Sequence, residues 1–300
     1  MGEDAGGMMQ SLIDEDFLKR LSNLKFIVKG RRKGHLVGIH PSSKAGVSIE
    51  FADYRDYTPG DDFRYVDWNI VGRLDRVLVK TFVREVELPI AILLDVSASM
   101  GLGDPPKIRY ASRLAAALTY LGLRGLDRVG IYPFNVSLLS PIAPRHGMRQ
   151  LPHILHALQS VSPAGETSLD RALTQYVEHS RESGLVFVVS DLLFEGGYKE
   201  GISRLLHRGD EVVVIQTLDP EELDPSAQGS TRIEEVETVR KLDLIVGEGV
   251  LSQYKSRLEV YLRSLYEFLA DHNIPHFFAP TDMPLERLIH ERLRAGGVLK

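Results

Sequence analysis

Five oxygen-bearing side chains in this 300-residue sequence stand where a hard metal ion could be held. Asp95, Ser97 and Ser99 form a D-x-S-x-S run directly after a continuous apolar segment, residues 88–94. Two-residue spacing puts these side chains on one side while the segment stays extended. Thr167 lies in Gly165-Glu166-Thr167-Ser168-Leu169, at the opening of a helical pattern, and Asp191 follows a second apolar run ending Val188-Val189-Ser190. Two carboxylates and three hydroxyls make an all-oxygen donor set of low charge. Mg2+ takes such donors in octahedral coordination and keeps some water, and Mn2+ has similar preferences. Each residue alone has a plainer use. Ser97, Ser99 and Thr167 sit where helix N-caps belong, and Asp95 and Asp191 suit turns at strand ends. Their joint placement favours one shared site for Mg2+, Mn2+ or another hard divalent cation.

Such a site needs elements that bring the five residues to one edge. In open α/β sheets, sites form where loops leave the carboxyl ends of strands. From residue 88 the apolar patterning alternates between strands and helices. Strands are predicted at 88–94, 128–134, 185–189, 211–217 and 274–279. Helices are predicted at 107–123, 150–160, 169–181, 202–207, 251–270 and 284–293. This alternation predicts an α/β fold, with a mostly parallel central sheet and helices on both faces. The strand-like, strongly charged stretch at about 230–247 interrupts the rhythm and reads as a hairpin insertion.

Residues 1–87 read as a smaller, separate part that is rich in β-structure. A helical pattern over 14–24 carries Phe17, Leu18, Leu21 and Leu24. The basic stretch over 25–46, with Lys29, Arg31, Arg32 and Lys33, reads as a solvated loop, an anionic contact site being the alternative. Thr58-Pro59-Gly60-Asp61 predicts a tight turn. Asp61 and Asp62 are expected to pair with Arg55, Arg64 or Arg73 and lock that turn, since adjacency in a turn does not separate two carboxyl pKa values as acid–base catalysis requires. The one tryptophan, Trp68, is expected to be a core or interdomain anchor.

The five oxygen residues resemble the metal-ion-dependent adhesion site of von Willebrand factor A domains. Asp95, Ser97 and Ser99 match its D-x-S-x-S, Thr167 its lone threonine and Asp191 its distal aspartate. That aspartate is commonly followed by glycine, where this chain has Leu192. The segment from Tyr54 to Trp68, YRDYTPGDDFRYVDW, is similar to the signature of the domain of unknown function 58 family, as is the following VKTFVRE of Val79 to Glu85. The resemblance extends from about residue 34 to the C-terminus. It implies a von Willebrand factor A-like domain over 88–300, hydroxyls that ligate the ion directly, and aspartates that often act through water. It also implies a shell completed by a partner's Asp or Glu. Members of the family are commonly encoded beside MoxR-type AAA+ ATPases and are thought to be their adaptors in assembling or maturing other proteins.

Composition removes several alternatives. The chain is 43% hydrophobic and 26% charged, as in an ordinary globular protein. Its formal net charge of −5 argues against a nucleic-acid partner. With no cysteine, thiolate zinc sites, disulfides and cysteine nucleophiles are excluded. There is no G-x-x-x-x-G-K-[ST], so no nucleotide is expected in a P-loop. There is no G-x-S-x-G, and Ser97 lacks an evident histidine partner. His153 and His156 lie three apart on a helical pattern with no carboxylate cluster near them in sequence. The apolar runs are too short for a membrane span, and the first ten residues lack a basic n-region, so a cytoplasmic location is expected. The function expected is a non-enzymatic, divalent-cation-dependent interaction module whose partners are a MoxR-type AAA+ ATPase and a client offering an acidic side chain. The alternative is a metal-dependent hydrolase, for which only Glu166 or Asp104 stands near enough in sequence to be the base.

Overall fold

The computed structural model describes residues 12–27, 34–36, 49–74, 76–84, 87–194, 197–225, 229–234, 241–246 and 248–300. The chain divides into two compact units, Met1–Val28 with Leu88–Lys300, and Lys29–Glu87.

Helix α1 (Glu15–Leu21) opens the larger unit. Asp14 caps it, its carboxylate accepting from the Phe17 N–H at 2.6 Å. One face carries Phe17 and Leu21, which are buried with Leu24 and Phe26 in the larger unit's core. The Phe26 ring lies 5.5 Å from that of Phe187, and the Lys25 and Lys300 backbones exchange hydrogen bonds of 3.1 and 2.9 Å. The reading of 1–87 as one part is therefore corrected at its start. Residues 12–27 pack with 88–300 because their apolar face finds its partners there.

The smaller unit holds a three-stranded antiparallel sheet of β1 (Gly34–Leu36), β2 (Ile49–Asp56) and β3 (Leu78–Arg84), with β3 central, and helix α2 (Trp68–Leu74). The Asp61 N–H donates to the Thr58 carbonyl at 3.0 Å, closing the predicted turn, and Gly60 takes φ +107°. The turn is locked as expected, by Arg55–Asp61 and Arg64–Asp62 pairs at 2.6 Å each. Trp68 differs from expectation: it is 64% exposed and anchors no core. Most of the basic stretch, 28–33 and 37–48, lies outside the described residues.

The larger unit is built on β4 (Pro89–Asp95), β5 (Arg128–Phe134), β6 (Ile142–Arg145), β7 (Leu185–Ser190), β8 (Glu211–Gln216) and, after the insertion, β11 (His276–Phe278). They form one sheet in the order β11-β8-β7-β4-β5-β6, parallel except for β6. Its helices are α3 (Lys107–Arg124), α4 (Leu151–Gln159), α5 (Leu169–His179), α6 (Lys199–Arg208), α7 (Pro220–Leu223) and α8 (Glu248–Asp271). A last short helix, α9 (Leu285–Arg287), runs into a π-helical turn, Leu288–Leu293. The strands are covered on both faces, which explains their unbroken apolar runs. Along β4, Ile90, Ile92 and Leu94 enter a core with α1, α3 and α4, whereas Ala91 and Leu93 face α5, α6 and α8. Each fully buried side chain of this size contributes about 1.5–3 kcal/mol. Strand β6 was not expected from the sequence: it is four residues long, contains Pro144 and lies at the edge, where a missing N–H is tolerated. The insertion is a hairpin, β9 (Gly229–Glu234) against β10 (Lys241–Val246).

Candidate metal centre

Numbered along the larger unit, its six strands lie in the order 3-2-1-4-5-6 read from β6. In doubly wound sheets a crevice opens at the carboxyl ends of strands 1 and 4, where the order reverses. Those strands are β4 and β7. Asp95 ends β4, Ser190 ends β7, and Asp191 follows it.

Asp95 is wholly buried, and each of its carboxylate oxygens accepts a hydrogen bond. Its Oδ1 accepts from the Ser97 N–H at 2.9 Å, and its Oδ2 accepts from the Ser190 hydroxyl at 2.6 Å. Burial, then the nearby Asp191 carboxylate, push the Asp95 carboxyl up to about 7, with the Ser190 and Ser97 bonds opposing. The two aspartates thus lie within electrostatic reach of each other. Asp191 is also buried. Its Oδ1 accepts from the Leu193 N–H at 3.1 Å and its Oδ2 from the Lys107 ammonium at 2.8 Å.

Ser97 occupies the N-cap position of the short 3-10 turn Ala98–Gly101, yet its side chain makes no capping bond. Its Oγ instead lies 3.0 Å from the Ser99 Oγ. An octahedral ion with metal–oxygen distances of about 2.1 Å has neighbouring ligands about 3.0 Å apart, the edge of the octahedron. The serine pair therefore has the spacing of two adjacent ligands of a small hard cation, and the donor chemistry fits that ion. The Thr167 loop is held beside this turn through the backbone. Ala98 N–H donates to the Gly165 carbonyl and Ala164 N–H to the Val96 carbonyl, both at 2.9 Å. Thr167 is half-buried, and the N-cap of α5 is its neighbour Ser168. No cluster of three or more His, Asp or Glu side chains suited to a metal occurs among the described residues, so any cation here relies on hydroxyls as well as carboxylates. Glu166, Asp104, His153 and His156 are all exposed.

Two charged residues at this edge were not singled out from the sequence. Lys107, the first residue of α3, is wholly buried, and its ammonium bonds Asp191 and, at 2.5 Å, Glu222 Oε1. Burial alone would push this lysine down, but Asp191 and Glu222 together hold it above the usual lysine value. Glu222 completes a capping box in α7, its Oε2 accepting from the Asp219 N–H at 2.8 Å. One signal was available. A cation in the first turn of a helix opposes the helix dipole, so a lysine there needs another reason.

Two further features complete the surroundings. Leu193, Phe194, Tyr254, Arg257, Leu258 and Tyr261 line an open, mostly apolar cleft of about 280 Å³ beside the Asp191 loop. Among the described residues, no helix is long and apolar enough to cross a membrane.

Residues 53–257 match the family described as "Protein of unknown function DUF58". Uncharacterized proteins of Mycobacterium bovis (Mb1516) and Mycobacterium tuberculosis (Rv1480) are each 27% identical to this chain over 237 residues, covering 77% of it and 74% of their own length. Among solved structures, the conserved hypothetical protein BatB from Bacteroides thetaiotaomicron aligns at a TM-score of 0.44 and 18% identity, over 70% of this chain and 98% of its own. An aerotolerance-related membrane protein from Bacteroides fragilis aligns at 0.44 and 16%, over 69% and 99%.

Proposed function

The chain belongs to the DUF58 family of proteins of unknown function, and from that premise we propose that it is a divalent-cation-dependent protein-interaction module and not an enzyme. The larger unit is then a von Willebrand factor A-like domain. Its strand order, with the antiparallel strand at one edge, supports this reading. The observation that carries the proposal is the 3.0 Å separation of the Ser97 and Ser99 hydroxyl oxygens at the edge where buried Asp95 and Asp191 converge. In the proposed site Ser97, Ser99 and Thr167 would hold Mg2+, Mn2+ or a similar ion, and Asp95 and Asp191 would act mostly through water, as the resemblance to the adhesion site implies. The bound ion would offer one coordination position to a partner's carboxylate.

The chain's own residues do the rest. Ser190 and the Ser97 N–H orient Asp95, and the Leu193 N–H orients Asp191. The backbone bonds from Ala98 and Ala164 hold the Thr167 loop to the D-x-S-x-S turn. The cleft beside Leu193 and Phe194 gives apolar footing to residues flanking the partner's acid. Because the chain carries net charge −5, the local ion and not the overall field draws an acidic partner. We assign the ATPase role to a separate MoxR-type AAA+ partner in the cytoplasm, with this protein as the adaptor that holds a client for assembly or maturation. The hydrolase alternative would need a positioned base, and neither the Glu166 nor the Asp104 carboxylate, both exposed, is held by a hydrogen bond to another of the described residues.

Pull-down of the MoxR-type ATPase with wild-type protein, wild type in EDTA, and the Asp95→Ala variant tests the proposal. Binding that EDTA and the substitution both abolish is expected. Undiminished binding in all three samples overturns the cation bridge.

A further inference from the structure

The buried lysine at the candidate centre requires a reason of its own. Lys107 is the only wholly buried lysine among the described residues, and its ammonium bonds one candidate ligand, Asp191, at 2.8 Å and one acid that is not a candidate ligand, Glu222, at 2.5 Å. Its place in the first turn of α3 is unfavourable to that helix. A buried ion pair is moreover weak evidence of stabilisation, because desolvation offsets the attraction. The charges at this edge do not cancel. When ionised, Asp95, Asp191 and Glu222 carry three negative charges against the one positive charge of Lys107, and Asp219 beside Glu222 adds a further carboxylate. The edge is therefore acidic in excess, which a divalent cation would offset.

Glu222 is placed to share the lysine. One of its carboxylate oxygens receives the Lys107 ammonium, and the other caps α7 through the Asp219 N–H. Its backbone carbonyl accepts the Tyr254 hydroxyl of α8 at 2.7 Å. The acid is therefore fixed from its own helix and from the next one, while the lysine reaches it along a flexible four-carbon stem.

We infer that Lys107 is a resident cation that competes with the divalent ion for Asp191, and that Glu222 is the counter-carboxylate that draws Lys107 off, so that α7 sets the affinity of the site. This inference rests on the cation reading given above. Lys107 and Glu222 are positioning residues in it, and neither ligates the ion. Removing the lysine's charge takes away a competitor. Removing the glutamate's charge leaves the lysine wholly on Asp191. The two substitutions break the same ion pair and yet move the affinity in opposite directions.

Calorimetric titration of Mg2+ and Mn2+ into the intact protein at pH 8 tests this, with Lys107→Met and Glu222→Gln beside wild type. A unit charge a few ångströms from a divalent ion, at an effective dielectric constant of about 20, shifts a binding equilibrium by more than about tenfold. Lys107→Met is expected to bind at least about tenfold more tightly, and Glu222→Gln at least about tenfold more weakly. Glutamine keeps the capping box, so Glu222→Gln decides the matter alone if Lys107→Met does not fold. Affinity unchanged in Glu222→Gln, or shifted the same way in both variants, overturns the inference and makes the pair a structural one. A wild-type protein that binds neither ion overturns the cation reading itself, and this inference with it.

Discussion

Ser190, the last residue of β7, donates its hydroxyl to the carboxylate of Asp95, the last residue of β4, at 2.6 Å. The two central strands are thus joined by a side-chain bond at the point where the strand order reverses. Asp95 has no solvent to replace that donor. Ser190→Ala is expected to cost about 1–3 kcal/mol, the penalty of a buried acceptor left without its partner. Urea unfolding measures it, and an unchanged midpoint would count against a carboxylate that depends on this bond.

Asp95→Asn removes a buried charge beside Asp191. Since the Asp95 carboxyl is pushed up to about 7 in the fold, against about 3.9 in an unfolded chain, the folded state holds the proton more firmly. The metal-free protein therefore loses stability as pH rises between those values. In EDTA at pH 8, Asp95→Asn should melt higher than wild type, and with the chelator removed its melting temperature should no longer respond to added Mn2+. A lower melting temperature in EDTA, or a retained Mn2+ response, contradicts the assignment.

His276 on β11 titrates in the opposite sense. Burial lowers it to about 4, its Nε2 has no hydrogen-bond partner among the described residues, and the ring packs 4.6 Å from that of Tyr266. Its folded pKa is below the unfolded value of about 6.5, so stability is lost as pH falls from 6.5 towards 4. In wild type this slope and that of Asp95 partly cancel. Melting curves in EDTA across this window should therefore diverge. His276→Phe should become less stable as pH rises, and Asp95→Asn more stable. Parallel curves for the two variants would contradict both shifts.

Gly184 tolerates no side chain. A Cβ there would lie 2.0 Å from the Pro89 carbonyl oxygen at the start of β4. The backbone cannot readily move away, because Gly184 N–H donates to Asp210 and its carbonyl accepts from Glu211, both at 2.9 Å. Gly184→Ala is expected to destabilise by more than about 3 kcal/mol, as in other severe overpacking. A thermal melt within a degree or two of wild type would contradict the close approach.

Much of this architecture was legible in the sequence, for physical reasons that also mark the limits. Strands β4, β7 and β8 are covered on both faces, so each appears as an uninterrupted apolar run, and the helices between them follow from the apolar 3.6-residue period. Asp95 and Asp191 could be named because each directly follows such a run. Edge strand β6 could not be read, since four residues that are half-buried or exposed, Pro144 among them, carry no such pattern. Lys107 and Glu222 are 115 residues apart, and only the fold brings them together. By local pattern Glu222 is a helix-capping glutamate, and it does cap. Trp68 misled for a different reason: a single large aromatic suggests burial by type, but here it opens a short helix with most of its surface exposed.

That exposed indole makes the protein optically asymmetric. Trp68 is the only tryptophan in the chain, and it lies in the unit formed by Lys29–Glu87. Tryptophan emission therefore reports on that unit alone, as a red-shifted signal open to iodide or acrylamide quenching. A partner that covers Trp68 will shield the emission from quencher. One cuvette experiment without labels therefore reports whether a partner engages the smaller unit at Trp68.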